Sequence, residues 1–448
     1  LSSPRVGFIG LGCPKNQVDL EVMMGRVAEA GFGITARAEE ADILVINTCS
    51  FLDSAIDEAH GQIIRAGRLK REGKVGRIVV SGCLPQYLKG RLTEKYPFVD
   101  DVLTPQNFAD IASVLTGVPR RSLPRAYFAS PATIYTGREP RVPTTPPSLA
   151  YVKIADGCNH RCAFCIIPAL RGRYRSRPIG EIADEVKAHV ARGVLEVSLV
   201  SQDTTRFGMD TGESLLDLLK RLARLKGDFW VRLMYLFPGR VTPEFVDFIS
   251  AHRGRILPYF DVPVQHIAAP VLARMRRGKP SDVRWTVDII RSRIADAVLR
   301  TNFIVGYPGE TDADFAELVD FVKRGDFDRV GVFAYSNLPE MPSSRLPNHV
   351  PEAVKTARRD ALMKAAMAAS ARRQAALVGR TLPVIIERVA PSANMLQYTG
   401  RSWREAYEFD GSVKVSSPAK VALYRRYVVE IVGFGPYDLI GKFKGDNQ

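Results

Sequence analysis

AYVKIADGCNHRCAFCIIPALRGRYRSR, Ala150–Arg177, runs from an apolar strand into three cysteines within eight residues and then into a run of arginines. A closed structural metal site normally uses four ligands, so this trio leaves one position to something else. The spacing Cys158-x3-Cys162-x2-Cys165 suits two chemistries. Zinc would be completed by His160 in the same loop. A four-iron cluster takes one thiolate per iron, so three cysteines leave one iron open to a small molecule. Phe164, between the last two cysteines, is odd in a zinc loop but useful as an apolar wall beside a cofactor. The spacing and the strand-end position favour iron–sulfur.

The same arrangement recurs upstream in a looser form. RVGFIG, ADILVINT and GRIVVSG are short apolar runs separated by helical patterns, and each is followed at once by a cysteine: Cys13, Cys49 and Cys83. Strands alternating with helices predict a parallel sheet with right-handed crossovers. The carboxyl ends of such strands share one edge, where open α/β sheets bind ligands, so these distant cysteines are expected to converge. Small buried cysteines filling strand ends are the plainer alternative.

After a proline-rich connector, AYVKIAD, LEVSLVSQ, FWVRLMYL, YFDVPVQH, VLRTNFIVGYPG and RVGVFAYS alternate with helical segments. Six βα units predict a barrel or partial barrel, whose active site lies at the carboxyl ends of the strands. A long Ala-rich helix follows. TLPVIIERV, YEFDGSVKV, VALYRRYVVEIVGF and DLIGKF then predict a small antiparallel barrel. Its excess of Lys and Arg over Asp and Glu is modest, so RNA and protein partners both remain open.

The 448 residues exceed one ordinary domain. A hydrophobic share of 46% and a charged share of 25% are those of a folded globular chain. No apolar run is long enough for a membrane span. LSSPRVGFIGLGC lacks a basic segment and a cleavage pattern, so a cytoplasmic location is expected. There, six cysteines argue against a disulfide framework. The net charge of +15 points to an anionic partner such as nucleic acid or a ribosomal surface.

AYVKIADGCNHRCAFCIIP resembles the cluster loop of radical S-adenosylmethionine enzymes. With GLGCPKNQVD, NTCSF, CIIPALRGRYRSR, LVSQDTTRFG, RLMYLFPG, VPVQH, MRRG and NFIVGYPGET, the whole chain resembles the methylthiotransferase family. The motifs are most similar to the branch that methylthiolates an aspartate of the twelfth small-subunit ribosomal protein. The resemblance implies an N-terminal methylthiotransferase domain over 1–125, a linker over 126–148, a radical domain over 149–378 and a TRAM barrel over 379–448. It also implies two 4Fe-4S clusters and S-adenosylmethionine, with an external reductant and sulfur source. Cys158, Cys162 and Cys165 would hold the radical cluster; Cys13, Cys49 and Cys83 would hold an auxiliary one that supplies or presents sulfur. Phe164 would lie near the adenine and Gln202 near the methionine end, with Arg232 and the backbone of Ile304–Gly306 also at the cofactor. No catalytic side chain is implied. Breaking an unactivated C–H bond exceeds what a side-chain acid or base supplies, which fits a cofactor-borne step. Two alternatives stand: the same chemistry on a tRNA adenosine, and a non-catalytic zinc-bearing RNA- or ribosome-binding module.

Other residues read less sharply. Arg171, Arg173, Arg175 and Arg177 have no acid near them in sequence and read as a wet loop, a substrate dock or a lid. Gln265 and His266 close a strand and face either site or core. His60, His189 and His252 are expected at the surface. GYPGET lacks a Walker lysine and reads as a strand-to-helix turn. AYSNLPEMPSSRLP and TGRSWREAYEFDG depart from the family pattern and are expected to face substrate or partner.

Overall fold

The structure, a computed structural model, describes residues 3–117, 135–392 and 395–444. Strands β1 (Arg5–Gly10), β2 (Gly33–Thr35), β3 (Ile43–Thr48), β4 (Arg77–Gly82) and β5 (Asp101–Val102) form a parallel sheet in the order β2-β1-β3-β4-β5. All six residues of β3 are buried, as a central strand of a parallel sheet requires. The strand order reverses between β1 and β3, which places a ligand crevice at their carboxyl ends. Cys13 and Cys49 follow those two strands and Cys83 follows the next.

The second sheet contains the six strands expected from the sequence. They are β6 (Leu149–Lys153), β9 (Glu196–Val200), β10 (Trp230–Leu233), β11 (Ile256–Asp261), β12 (Val298–Val305) and β13 (Arg329–Ala334). All neighbours are parallel, in the order β13-β12-β11-β10-β9-β6, so the barrel is partial. A small antiparallel ribbon, β7 (Ala155–Asp156) with β8 (Arg175–Ser176), brackets the three-cysteine loop. Helix Pro14–Glu29 packs on the β6 edge and helix Glu352–Ala375 on β13.

The C-terminal barrel closes through β14 (Thr381–Ser392), β15 (Met395–Ser402), β16 (Val413–Ser417), β18 (Leu439–Phe443) and β17 (Arg425–Phe434). It departs from the antiparallel expectation at one pair: β16 and β18 run parallel. Among the described residues, no helix is long and apolar enough to cross a membrane.

The expected boundary at 125/126 and the first part of the linker lie outside the described residues. The part from Tyr135 to Ser148 is built into the fold rather than loosely draped. Arg141 donates to Glu21 and to Glu185, tying the first helix to helix Ile179–Ala191, and Tyr135 Oη donates to the same Glu185 at 2.6 Å. A Cβ at Gly25 would stand 2.1 Å from the Pro140 carbonyl oxygen, so only glycine lets helix and strap approach this closely. Val18, Met23, Tyr151, Tyr259, Ile385 and Ala406 share one apolar cluster drawn from all three regions.

TGRSWREAYEFDG turns largely inward, although Glu408 is exposed and Phe409 borders a cavity. Arg401, Arg404, Glu405 and Ala406 are buried against the six-stranded sheet. Arg404 pairs with Asp328, and Tyr259 Oη donates to Asp410 at 2.7 Å. Glu196, at the start of β9, accepts from Arg232 and Arg401, fixing the barrel to the sheet. Burial opposes the Glu196 charge, but the two arginines hold its carboxyl down at about 2, against an ordinary 4.5. The depressed folded value means that this contribution is complete above pH 4.5 and fades as pH falls toward 2. Its full size is about 3 kcal/mol. The stability gap between wild type and Glu196→Gln is therefore expected to close across that window, read as thermal midpoints at stepped pH.

Candidate active site

Turns that only glycine tolerates set the cysteines in place. Gly12, Gly82 and Gly157, each just before a cysteine, have φ of 101°, 95° and 82°. A Cβ on Gly82 would meet the Thr48 carbonyl oxygen at 2.4 Å, and one on Gly157 the Arg173 carbonyl oxygen at 2.1 Å. Side-chain amides stitch the upstream loops together. Asn16 Nδ2 donates to the carbonyls of Leu11 and Thr48, and Asn47 Nδ2 donates to that of Asn16. In the second loop, Cys158 N donates to Gly172 O and Ala163 N to Met275 O.

All six cysteines line one cavity of about 460 Å³ between the two sheets. None is in a disulfide. Among the described residues, no three His, Cys, Asp or Glu side chains gather around a point that would hold a single metal ion. The two trios of free cysteines offer sulfur donors alone, the set an iron–sulfur cluster takes. Burial pushes the Cys83 and Cys165 thiols up to about 12, and raises Cys49 and Cys158 as well. Cys13 shifts the other way. Burial opposes its charge too, but Lys15, Arg171 and the amides of Asn16 and Lys15 bring its thiol below the ordinary value.

Of the residues singled out in sequence, Phe164, Gln202 and Ile304 line this cavity. Gln202 Nε2 donates to Asp156 at 3.0 Å, while its Oε1 is buried without a partner. An orphaned acceptor beside three cysteines fits an incoming donor such as an amino group. Gly306 does not line the cavity: its φ is 70° and the stem of Lys355 presses on it. Arg232 is placed elsewhere altogether. It is fully buried within β10, with Glu196 and the Trp403 carbonyl as its partners.

The arginine run is not a wet loop with no acid nearby. Arg171 donates to Asp156, to Asp19 at 2.9 Å and to Asn16 at 3.0 Å. Arg177, also fully buried, donates to Glu185 at 2.6 Å and to two carbonyls. Arg173 is exposed. Gln265 faces the cavity, whereas His266 is core: its Nδ1 accepts from Ala268 N, and burial lowers it to about 3. His189 is buried beside Glu185, contrary to expectation; His252 is exposed and His60 half-buried. GYPGET is a structural turn, with Thr311 capping the next helix and Glu310 accepting from Arg358. AYSNLPEMPSSRLP docks on the first sheet's helices, where Glu340 accepts from Tyr87 and Arg91.

His160 is committed as well. Its Nε2 meets Asp203 at 2.6 Å and its ring stacks on Phe237 at 4.1 Å. Arg277 lies over the same Phe237, donates to the Pro263 carbonyl and reaches Cys162 Sγ at 3.7 Å. Sequence reasoning missed Arg277, Lys15, Tyr235 and Phe409 at this cavity. All four stand within quoted stretches: Arg277 in MRRG, Lys15 in GLGCPKN, Tyr235 in RLMYLFPG and Phe409 in TGRSWREAYEFDG, the last expected to face substrate or partner.

Residues 5–104 match the Uncharacterized protein family UPF0004, residues 152–322 the Radical SAM superfamily and residues 378–443 the TRAM domain. A ribosomal protein uS12 methylthiotransferase RimO from Syntrophotalea carbinolica is 41% identical over 99% of this chain and 98% of its own. Another, from Dictyoglomus thermophilum, is 40% identical over 98% of this chain and 99% of its own. The fold is similar to that of the radical S-adenosylmethionine methyltransferase TsrM from Kitasatospora setae. That match has a TM-score of 0.57 and 17% identity, over 76% of this chain and 75% of the other. A radical enzyme of this kind uses a 4Fe-4S cluster and S-adenosylmethionine. Near-complete coverage at such identity, with the cysteines of both loops on one cavity, gives the lineage: the chain belongs to the RimO family of radical S-adenosylmethionine methylthiotransferases.

Proposed function

We propose that this enzyme adds a methylthio group to the β-carbon of an aspartate in ribosomal protein uS12, the substrate named for its full-length relatives. The observation that carries the reading is the single cavity bordered by all six cysteines. Cys158, Cys162 and Cys165 hold the radical cluster, with S-adenosylmethionine against Phe164, Gln202 and Ile304. Cys13, Cys49 and Cys83 hold a second 4Fe-4S cluster, placed to present sulfur to the same substrate carbon. The domain limits follow the same division: 1–125, a linker to 148, 149–378, and the barrel from 379.

The cofactors, when bound, supply the C–H cleavage that side-chain acids and bases cannot. The chain's own part is to hold both trios at one cavity and exclude water from it. Electrons come from an external reductant, sulfur from an external source, and the methyl group from a second S-adenosylmethionine. The protein substrate is met free or within the ribosome. Anaerobic incubation of the reconstituted enzyme with S-adenosylmethionine, dithionite and sulfide, offered both recombinant uS12 and tRNA, tests the reading by mass spectrometry. Methylthio-aspartate in uS12 is expected. Methylthio-adenosine in the tRNA with uS12 unchanged overturns the substrate assignment.

Hydrogen bonds to the sulfurs and nearby charge set cluster potentials. Arg277 offers both at Cys162. Arg277→Met is expected to make the radical cluster harder to reduce, moving its potential to a more negative value in a redox titration followed by electron paramagnetic resonance.

A further inference from the structure

The cations lining the cavity differ in what holds them. Arg171 pairs with Asp19 and Asp156, and Arg300 with Asp261 and Asp410. Arg277 has the Cys162 sulfur and a carbonyl. Lys15, two residues after Cys13, ion-pairs with no carboxylate among the described residues. Its Nζ donates to the Ser201 carbonyl at 3.3 Å and sits 3.4 Å from the centre of the Tyr235 ring. Yet only 7% of the residue is exposed.

The Cys13 thiol is the anionic group acting most strongly on it, and under the function proposed above that sulfur is committed to a cluster. A buried ammonium paired with no carboxylate is costly, and proteins retain one where a ligand brings opposite charge. The Tyr235 face steadies a cation without neutralising it. Tyr235 itself has φ of 62°, a left-handed backbone that a bulky side chain rarely adopts, and such strain gathers at ligand sites. Lys15 lies in the first turn of the helix that follows β1, while Ser201 and Tyr235 lie just beyond the carboxyl ends of β9 and β10. This ammonium, with no carboxylate paired to it among the described residues, therefore lies on the cavity that both cysteine trios border.

We propose that Lys15 is the anchor for the substrate's carboxylate: its ammonium binds the side-chain carboxylate of the acidic residue that is modified. This rests on the reading of an aspartate substrate. In aspartate the β-carbon is bonded directly to the carboxylate carbon, so fixing the carboxylate leaves the reacting carbon little freedom. An amide of the same shape brings no charge, and the anchor discriminates against it.

The test uses the reconstituted enzyme and measures equilibrium binding of recombinant uS12 and of a uS12 whose target aspartate is replaced by asparagine. Wild type is expected to prefer the aspartate form. Lys15→Met is expected to weaken that form by on the order of 30-fold, the loss typical of breaking a buried charge pair, and to bind both forms alike. Lys15→Arg is expected to keep part of the preference. Iron and sulfide content, measured on each variant, reports on the cysteine loops separately. Lys15→Met that retains the wild-type preference overturns the proposal, whether or not its iron content falls. A wild-type enzyme indifferent to the two forms counts against the aspartate reading itself, a different result.

Discussion

Cys158→Ala, Cys162→Ala and Cys165→Ala, combined in one chain, are expected to abolish cleavage of S-adenosylmethionine while one 4Fe-4S cluster remains. Each iron of such a cluster takes its own thiolate, and these three cysteines share one short loop. The other trio hangs from a different sheet, whose hydrogen-bonded strands include none from this loop. Iron and sulfide per chain should therefore fall to about half of the two-cluster value. The converse variant, Cys13→Ala with Cys49→Ala and Cys83→Ala, is expected to retain cleavage but form no carbon–sulfur bond. Chromatography of the cleaved nucleoside reads the first effect, and mass spectrometry of uS12 the second. Retained cleavage in the first variant, or full loss of both clusters in the second, contradicts the division of labour.

Much of this arrangement was legible because it is written locally. Apolar runs such as ILVINT and RIVVSG announce buried strands, and a cysteine follows each directly. Strand direction then does the assembly: in a parallel sheet all carboxyl ends share an edge, so Cys13, Cys49 and Cys83 needed no contact information to be brought together. Ligand residues placed by topology are readable in this way.

Charges placed by partnership are not. Arg232 stands in RLMYLFPG, and the family resemblance puts it at the cofactor, yet its partners are Glu196 on the next strand and a carbonyl 171 positions away. TGRSWREAYEFDG is expected to face substrate or partner, yet Arg401, Arg404, Glu405 and Ala406 within it are buried by a sheet from another part of the chain, and only its Phe409 reaches the cavity. The parallel pairing of β16 with β18 escaped for a related reason. Short alternating strands specify that a barrel forms, while their order depends on how the intervening loop crosses it. Tyr235 gives no sign of its left-handed backbone, since nothing in YLFPG demands one.

Arg171 is the sharpest case, and it carries the second large effect. Two cations, Arg171 and Lys153, face two carboxylates, Asp19 and Asp156, all nearly inaccessible. The group is neutral as a whole. Asp156 shows the balance: burial opposes its charge, but Lys153 and Arg171 hold it well below the usual carboxylate range. Asp19 belongs to the first helix and Asp156 to the cysteine loop, so this cluster also sets one trio against the other. Arg171→Met leaves one buried carboxylate uncompensated and is expected to cost about 3–5 kcal/mol. Arg173→Met, two residues on but exposed, is expected to stay within about 0.5 kcal/mol of wild type. Urea or thermal unfolding separates the two. If the charge balance is the cause, removing Asp19 as well should recover stability, because Lys153 and Asp156 then remain as a matched pair. Arg171→Met with Asp19→Leu is therefore expected to be more stable than Arg171→Met alone. A double variant less stable than the single one would mean that Arg171 acts through its packing and its bond to Asn16, and not through its charge.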